Sequence, residues 1–229
     1  MKETPKDTPV VILCGGEGTR MREETEFKPK PMVTVGGKPI LWHIMKNYSA
    51  FGFKRFILAL GYKGDMIKEH FVHSDIMSND LTLHMGKPAD DQIHRTHDSE
   101  DWTITFADTG LKAQTGARIK RTERYVDTDR FMVTYGDGVA DLDIGRLMAF
   151  HKKGGRIGTL SGVHPPSRFG RMEIEGERIV QFREKPVLEE YVNGGFYVFE
   201  KKMFDRLDDA DSCVLEREPL GRLAQDGQL

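Results

Sequence analysis

Three observations predict an α/β fold, a mainly parallel sheet flanked by helices. Apolar runs without polar alternation stand at residues 10–13, 56–60 and 131–135, as strands covered on both faces require. Helical apolar spacing fills the stretches between them. The first and third runs end in glycine turns, Gly15-Gly16 and Gly136-Asp137-Gly138, at what becomes the carboxyl edge of the sheet, where such folds bind ligands.

The elements follow in order. After the strand at 10–13, Pro39 is suited to the first position of a helix whose stripe is Ile40, Leu41, Ile44, Met45 and Tyr48, ended by Gly52. The strand at 56–60 leads to a second helix capped by Asp65 and carrying Met66, Ile67 and Phe71. Residues 74–101 are polar, with a turn at Lys87-Pro88 and edge-strand fragments such as 81–85, and read as an insertion or flap. A strand at 102–106 precedes a helix opened by Thr115-Gly116 and running through Tyr125. The strand at 131–135, a helix at 144–151 and a strand at 157–163 complete this part. Beyond Pro165-Pro166 the pattern changes to short strands at 171–174, 179–183 and 193–199.

At 229 residues the chain is long enough for one sizeable domain, residues 1–229. With 34 basic and 36 acidic side chains and a formal charge of −2, it lacks the basic excess of a general nucleic-acid or membrane-surface binder. Residues 1–9 are polar, and no apolar run approaches the roughly 18 residues of a membrane span, so a cytoplasmic protein is expected. Two cysteines, Cys14 and Cys213, supply neither a metal spacing nor a disulfide framework. The pairs His70/His73 and His94/His97 lack a third ligand and read as surface histidines, while Met45, Met66, Met132, Met148 and Met172 read as core packing.

The loop Gly15-Gly16-Glu17-Gly18-Thr19-Arg20 invites a phosphate-binding reading, since glycine allows positive φ and close approach of backbone N–H groups. A dinucleotide fingerprint requires a third glycine where Met21 stands, and Pro29 and Pro31 interrupt the helix that should follow. A Walker loop requires Gly-Lys-Ser/Thr, but Gly37-Lys38 is followed by Pro39. What remains is a glycine loop followed by Arg20 and Lys30.

That segment resembles the signature of sugar-1-phosphate nucleotidylyltransferases, and within them the glucose-1-phosphate cytidylyltransferases of bacterial surface-sugar synthesis. The resemblance continues in order through Gly36-Gly37-Lys38-Pro39-Ile40-Leu41-Trp42-His43, Gly61-Tyr62-Lys63-Gly64, Thr134-Tyr135-Gly136-Asp137-Gly138, Arg168-Phe169-Gly170, Glu184-Lys185-Pro186 and Asn193-Gly194-Gly195-Phe196. It implies a Rossmann-like sheet of the nucleotide-diphospho-sugar transferase type. Residues 1–160 are then mainly nucleotide-binding, and 161–229 form a smaller, strand-rich part that binds the sugar phosphate.

The resemblance also implies a reaction, the transfer of CMP from CTP to glucose 1-phosphate with release of pyrophosphate. UTP or dTTP as donor, or a non-catalytic nucleotide-sugar-binding relative, remain alternatives. Because both reactants are anions, such a site needs cations and a metal ion, and because a sugar phosphate is itself a nucleophile, no activated side chain is required. By the resemblance Arg20 serves the β- and γ-phosphates, Lys30 the α-phosphate, and Asp137 a Mg²⁺ ion. Leu13, Gly15, Gly16, Glu17, Gly18, Thr19, Thr115, Gly116 and Gly136 join the nucleotide site, with Arg118 donating to the pyrimidine. Lys185 holds the sugar phosphate and Glu184 the sugar hydroxyls, in a pocket completed by Gly170, Asn193 and Gly194. Phe169 and Phe196 are equally suited to the core. Asp141 and Asp143 read as helix caps rather than ligands. Chains of the family continue past the position of Leu229 and carry a second metal-binding aspartate there, so this one reads as shortened at its C-terminus. A homo-oligomer is implied as well.

Overall fold

The computed structural model of the chain describes residues 4–16, 27–95 and 100–229. In order come β1 (Pro9–Leu13), β2 (Thr34–Val35), β3 (Lys38–Pro39), α1 (Ile40–Ala50), β4 (Arg55–Leu60), α2 (Gly64–Val72), α3 (Ser74–Ser78), β5 (Asp80–Thr82), β6 (Gln92–His94) and β7 (Thr103–Asp108). They are followed by α4 (Thr115–Arg121), β8 (Arg130–Tyr135), α5 (Ile144–Gly154), β9 (Gly158–Val163), β10 (Arg171–Glu175), β11 (Arg178–Arg183), β12 (Val192–Glu200) and α6 (Glu218–Gln225).

Six strands form the central sheet in the order β7-β4-β1-β8-β12-β9. β7, β4, β1 and β8 run parallel, and β12 is antiparallel to both its neighbours. The part beyond residue 160 is therefore not separate, because β12 lies between β8 and β9 in the same sheet. With strands on either side, β1 has its backbone paired and every side chain buried, which explains its unbroken apolar run.

The period-2 alternation of the strands sends two sets of side chains to opposite faces. Val10, Ile12, Phe56, Leu58, Met132 and Val198 pack against Leu41, Ile44 and Met45 of α1, Ile67 of α2, and Ile144, Leu147 and Met148 of α5. On the other face Val11, Ile57, Phe131, Val133, Tyr197 and Phe199 meet Ile119 of α4, Met203, Phe204, and Leu220 and Leu223 of α6. Phe131 and Phe204 stack with ring centroids 4.6 Å apart.

Several local expectations are corrected. Pro39 is not the first helical residue: it pairs with Thr34 in the β2–β3 hairpin, and α1 begins at Ile40, whose N–H reaches the Val33 carbonyl at 2.8 Å. Gly36 and Gly37, at φ 57° and 80°, supply the two left-handed positions of that two-residue turn. Lys63, not Asp65, occupies the N-cap of α2, with Asp65 in the first turn facing the positive end of the helix dipole. The helix opened at Thr115 ends at Arg121, and a 3₁₀ turn covers Glu123–Tyr125. Asp143 caps α5 by accepting from the Arg146 N–H at 2.8 Å, whereas Asp141 is exposed and is not the cap. The edge strand expected at 81–85 is β5, paired with β6 in a ribbon outside the main sheet. Phe196 is core, but Phe169 is exposed; Met45, Met132 and Met148 are buried, Met66 half-buried and Met172 exposed.

Candidate active site

The carboxyl ends of β1 and β8 open into a cavity of about 530 Å³. Its wall brings together Leu13, Gly15, Gly16, Lys30, Thr115, Arg118, Gly136 and Asp137 from the sequence-derived set. Cys14, Pro31, Leu111, Lys112, Ala113, Gln114 and Tyr135 complete it. Glu17, Gly18, Thr19 and Arg20 lie outside the described residues.

β1 delivers the glycine loop by continuing its ladder. The Cys14 N–H bonds the Ala59 carbonyl at 3.0 Å, the Tyr62 N–H the Gly15 carbonyl at 3.2 Å, and the Gly136 N–H the Leu13 carbonyl at 3.0 Å. Gly15 does not need glycine for a positive φ. A Cβ there would stand 2.1 Å from Nη1 of Arg118, so the residue is small because a guanidinium lies against it. A Cβ on Gly61 would likewise fall 2.5 Å from that nitrogen. Gly16 differs: nothing lies within 4 Å of where its Cβ would be, and its backbone is open to the cavity.

Arg118, on α4, is 5% exposed and holds the cavity edge together. Nη1 donates to the carbonyls of Leu60 and Gly110 and to Thr109 Oγ1, at 3.0, 2.8 and 2.8 Å. Nη2 donates to the carbonyls of Gly15 and Leu111 at 2.9 and 3.2 Å. One side chain thus ties the ends of β1, β4 and β7. Burial lowers its pKa, with Arg121 nearby acting in the same direction. Nε forms no hydrogen bond among the described residues.

Lys30 reaches the cavity from the 3₁₀ turn Lys30–Met32, which buried Pro31 and Met32 anchor. Its Nζ stands 3.4 Å from Asp137 Oδ2. A Cβ on Gly136 would meet the Leu13 carbonyl oxygen at 2.8 Å, so glycine there lets the chain turn against β1 and present Asp137. Cys14 is buried, and burial pushes its thiol well above the ordinary range, so it is not a thiolate nucleophile.

The N-terminus of α4 is closed by tertiary contacts. The N–H groups of Gly116 and Ala117 bond the Cys213 carbonyl at 3.0 and 3.1 Å. A Cβ on Gly116 would meet Cys213 Sγ at 2.5 Å, which places this residue against the 211–216 segment rather than in the cavity wall. Thr115 Oγ1 donates to Glu216 Oε2 at 2.7 Å and accepts from the Leu215 N–H at 2.9 Å.

The sugar-side residues do not line this cavity. Glu184 and Lys185 follow β11 and are exposed, and Lys185 adopts a left-handed backbone at φ 45°. Such strain in a residue with a Cβ costs on the order of 1 kcal/mol or more and collects at functional positions. Gly170 lies beside them, since a Cβ there would meet Phe182 at 2.5 Å and Glu184 Oε2 at 3.0 Å. Asn193 and Gly194 sit on β12, and Asn193 Nδ2 approaches Tyr135 Oη of the cavity wall at 3.4 Å. Sequence reasoning missed Tyr135, the 111–114 loop and Glu216. A lysine just past a strand's carboxyl end was the available signal for Lys112; an exposed glutamate in a turn gives none.

Among the described residues no helix is long and apolar enough to cross a membrane, and no three His, Cys, Asp or Glu side chains cluster as a metal site.

The chain matches the family model for nucleotidyl transferase over residues 9–220. It is 48% identical over 221 residues to a glucose-1-phosphate cytidylyltransferase of Salmonella typhi, covering 96% of this chain and 85% of the relative. A probable glucose-1-phosphate cytidylyltransferase of Bacillus subtilis is 42% identical, with the same coverage of both chains. Among solved structures, HddC from Yersinia pseudotuberculosis complexed with GMP-PN superposes with a TM-score of 0.66 at 27% identity, covering 94% of this chain and 86% of that one. On the family match, the identity to these relatives and the shared fold, the chain belongs to the nucleotidyl transferase family.

Proposed function

We propose that this chain transfers CMP from CTP to α-D-glucose 1-phosphate, forming CDP-glucose and pyrophosphate, in the cytoplasm and for bacterial surface-polysaccharide synthesis. The observation that carries the reading is the placement of Lys30 and Asp137 3.4 Å apart on a cavity wall that also exposes the Gly16 backbone. It rests besides on the 48% identity to a glucose-1-phosphate cytidylyltransferase over 96% of the chain.

A phosphate oxygen of the sugar phosphate attacks the α-phosphorus, and the bond to the pyrophosphate oxygen breaks in line. The phosphate supplies its own electron pair, in keeping with a cavity whose Cys14 thiol is held protonated. Lys30 places its charge where negative charge grows on the α-phosphate, which stabilises the transition state more than the ground state. Arg20 serves the β- and γ-phosphates. Arg118 Nε, free of protein acceptors among the described residues, is left to donate to the pyrimidine. Thr115, Leu13, Gly15, Gly116 and Gly136 shape the nucleotide side, and Glu184, Lys185, Gly170, Asn193 and Gly194 receive the glucose phosphate.

Asp137 suits a divalent cation, because a half-exposed carboxylate is a hard oxygen donor and triphosphate oxygens and water can fill the rest of the shell. Mg²⁺ held there would neutralise charge on the phosphates. A homo-oligomer belongs to the same reading; the exposed apolar face of the β10–β11 ribbon supports it.

The test is pyrophosphate release with Mg²⁺ and a panel of CTP, UTP, dTTP and GTP against several sugar 1-phosphates. CTP with glucose 1-phosphate is expected to lead, with UTP about 10²-fold poorer in kcat/KM, because uracil leaves the acceptors meant for the cytosine amino group unpaired. Equal turnover of UTP or dTTP would refute the choice of base.

A further inference from the structure

We propose that Glu216, which no sequence motif marks, is a positioning residue that sets the nucleotide wall and the sugar side in register. The proposal rests on the proposed transferase reading and concerns the same site. Glu216 accepts two hydrogen bonds, one on each carboxylate oxygen. One comes from Thr115 Oγ1 on the cavity wall at 2.7 Å, the other from the Tyr135 hydroxyl at the end of β8. Tyr135 Oη lies 2.9 Å from Tyr197 Oη, and Asn193 Nδ2 donates to Tyr197.

Donor and acceptor accounting then orients the whole chain. An ionised carboxylate only accepts, so Tyr135 spends its proton on Glu216 and must accept from Tyr197, which in turn accepts from the Asn193 amide. Asn193 Oδ1 is left to take the Gly195 N–H, as it does at 2.9 Å. Thr115 likewise spends its proton on Glu216 and accepts from Leu215. Both branches end at one carboxylate. Burial and the Glu216 contact both raise the Tyr135 pKa, so its hydroxyl stays protonated and keeps the donor role.

The geometry joins α4, β8 and β12 through a residue of the 211–216 segment, which also closes the N-terminus of α4. Neither Thr115 nor Asn193 has a free side chain in this arrangement; each is held where Glu216 and the tyrosines hold it. A reaction between two bound anions depends on their relative placement to a fraction of an ångström, so loss of this register should act on the chemical step rather than on either substrate's binding.

The experiment compares wild type, Glu216→Ala, Glu216→Gln and Tyr135→Phe. Steady-state pyrophosphate release gives kcat and both KM values, CTP titration calorimetry gives binding without turnover, and thermal unfolding reports the fold. Glu216→Ala and Tyr135→Phe, which break the chain at its end and its middle, should each lower kcat about tenfold or more while CTP affinity and both KM values stay within about threefold. Glu216→Gln, which keeps one acceptor, should lose less. If Glu216→Ala does not fold, Tyr135→Phe and Glu216→Gln carry the same comparison. The proposal is overturned if kcat of the folded variants stays within about twofold of wild type, or if the loss falls only on the KM of one substrate, which marks direct contact. Turnover by wild type of another nucleotide and sugar pair would correct the function but leave this comparison to be made on that pair. A wild type that turns over no pair overturns both.

Discussion

The cavity edge at the ends of β1, β4 and β7 and the β10–β11 ribbon differ in how their residues are held. At the cavity edge one buried guanidinium meets four carbonyls and a hydroxyl, and Gly15 and Gly61 are small because it lies on them. The ribbon has no such support. Its register puts Met172 opposite Phe182 and Ile174 opposite Ile179, and all four are more than half exposed. Arg171, Glu173, Glu175, Arg178, Gln181 and Arg183 form the other pairs. The irregularity at Glu173/Ile174 lets Ile179 and Phe182, three apart in sequence, both pair with apolar residues. The proposed nucleotide side is thus built into the sheet, whereas Glu184 and Lys185, proposed for the sugar phosphate, hang from a two-stranded ribbon tied at its base by the Ser167 to Pro186 and Leu188 to Pro165 backbone bonds. In the proposed site one half is preorganised and the other is positioned by a lever.

The comparison predicts a contrast in stability first. Phe131→Ala, which empties a fully buried position stacked on Phe204, should cost about 3–5 kcal/mol in urea unfolding. Phe182→Ala should stay within about 0.5 kcal/mol, as expected of an exposed side chain. A large loss for Phe182→Ala would mean that another copy of the chain covers the ribbon, and its dependence on protein concentration would show it.

Arg118→Met sharpens the buried half. It takes a donor from the carbonyls of Gly15 and Leu60, which keep the Tyr62 and Thr109 N–H groups, and leaves those of Gly110 and Leu111 without a partner among the described residues, so it should destabilise the fold by roughly 3 kcal/mol with loss of CTP binding. If unfolding is unchanged, the clamp does not hold the cavity edge.

Lys30→Ala separates chemistry from fold. Its kcat should drop on the order of 10²-fold, with CTP affinity by calorimetry less affected. An unchanged kcat would remove Lys30 from the transition state. Because its pairing with Asp137 is partly exposed, melting temperature should scarcely move.

The smallest effect is expected on the lever. Lys185→Ala should raise KM for glucose 1-phosphate about tenfold, with KM for CTP nearly constant and no loss of stability, because the side chain is exposed and its proposed role is one charge contact with one substrate. Lys185→Gly additionally relieves the left-handed backbone at φ 45°. If it matches Lys185→Ala in KM but is the more stable, the strain is retained for where it points the side chain.

The amino-acid sequence by itself determined what local chemistry can determine. The unbroken apolar run at 10–13 could only be a strand buried on both faces, and the stripe from Ile40 to Tyr48 could only be a helix with one buried face. The glycine turns after the apolar runs at 10–13 and 131–135 put Gly136 and Asp137 at one sheet edge, and the family resemblance added Lys30 to them. Pro39 and Asp65 were misread, and Phe169 was left open between core and pocket, because hairpin pairing, a left-handed Lys63 and exposure at the ribbon base are settled by neighbours distant in sequence or by backbone geometry. Arg118 read from sequence as a helix residue facing a base; only the folded chain brings the ends of three strands to its guanidinium. Glu216 had no signal at all, since a carboxylate in a turn acquires its role from Thr115 and Tyr135, 101 and 81 residues away. Periodicity records which face of an element is buried, but a hydrogen bond across the fold depends on where two elements meet, and only the tertiary structure decides that.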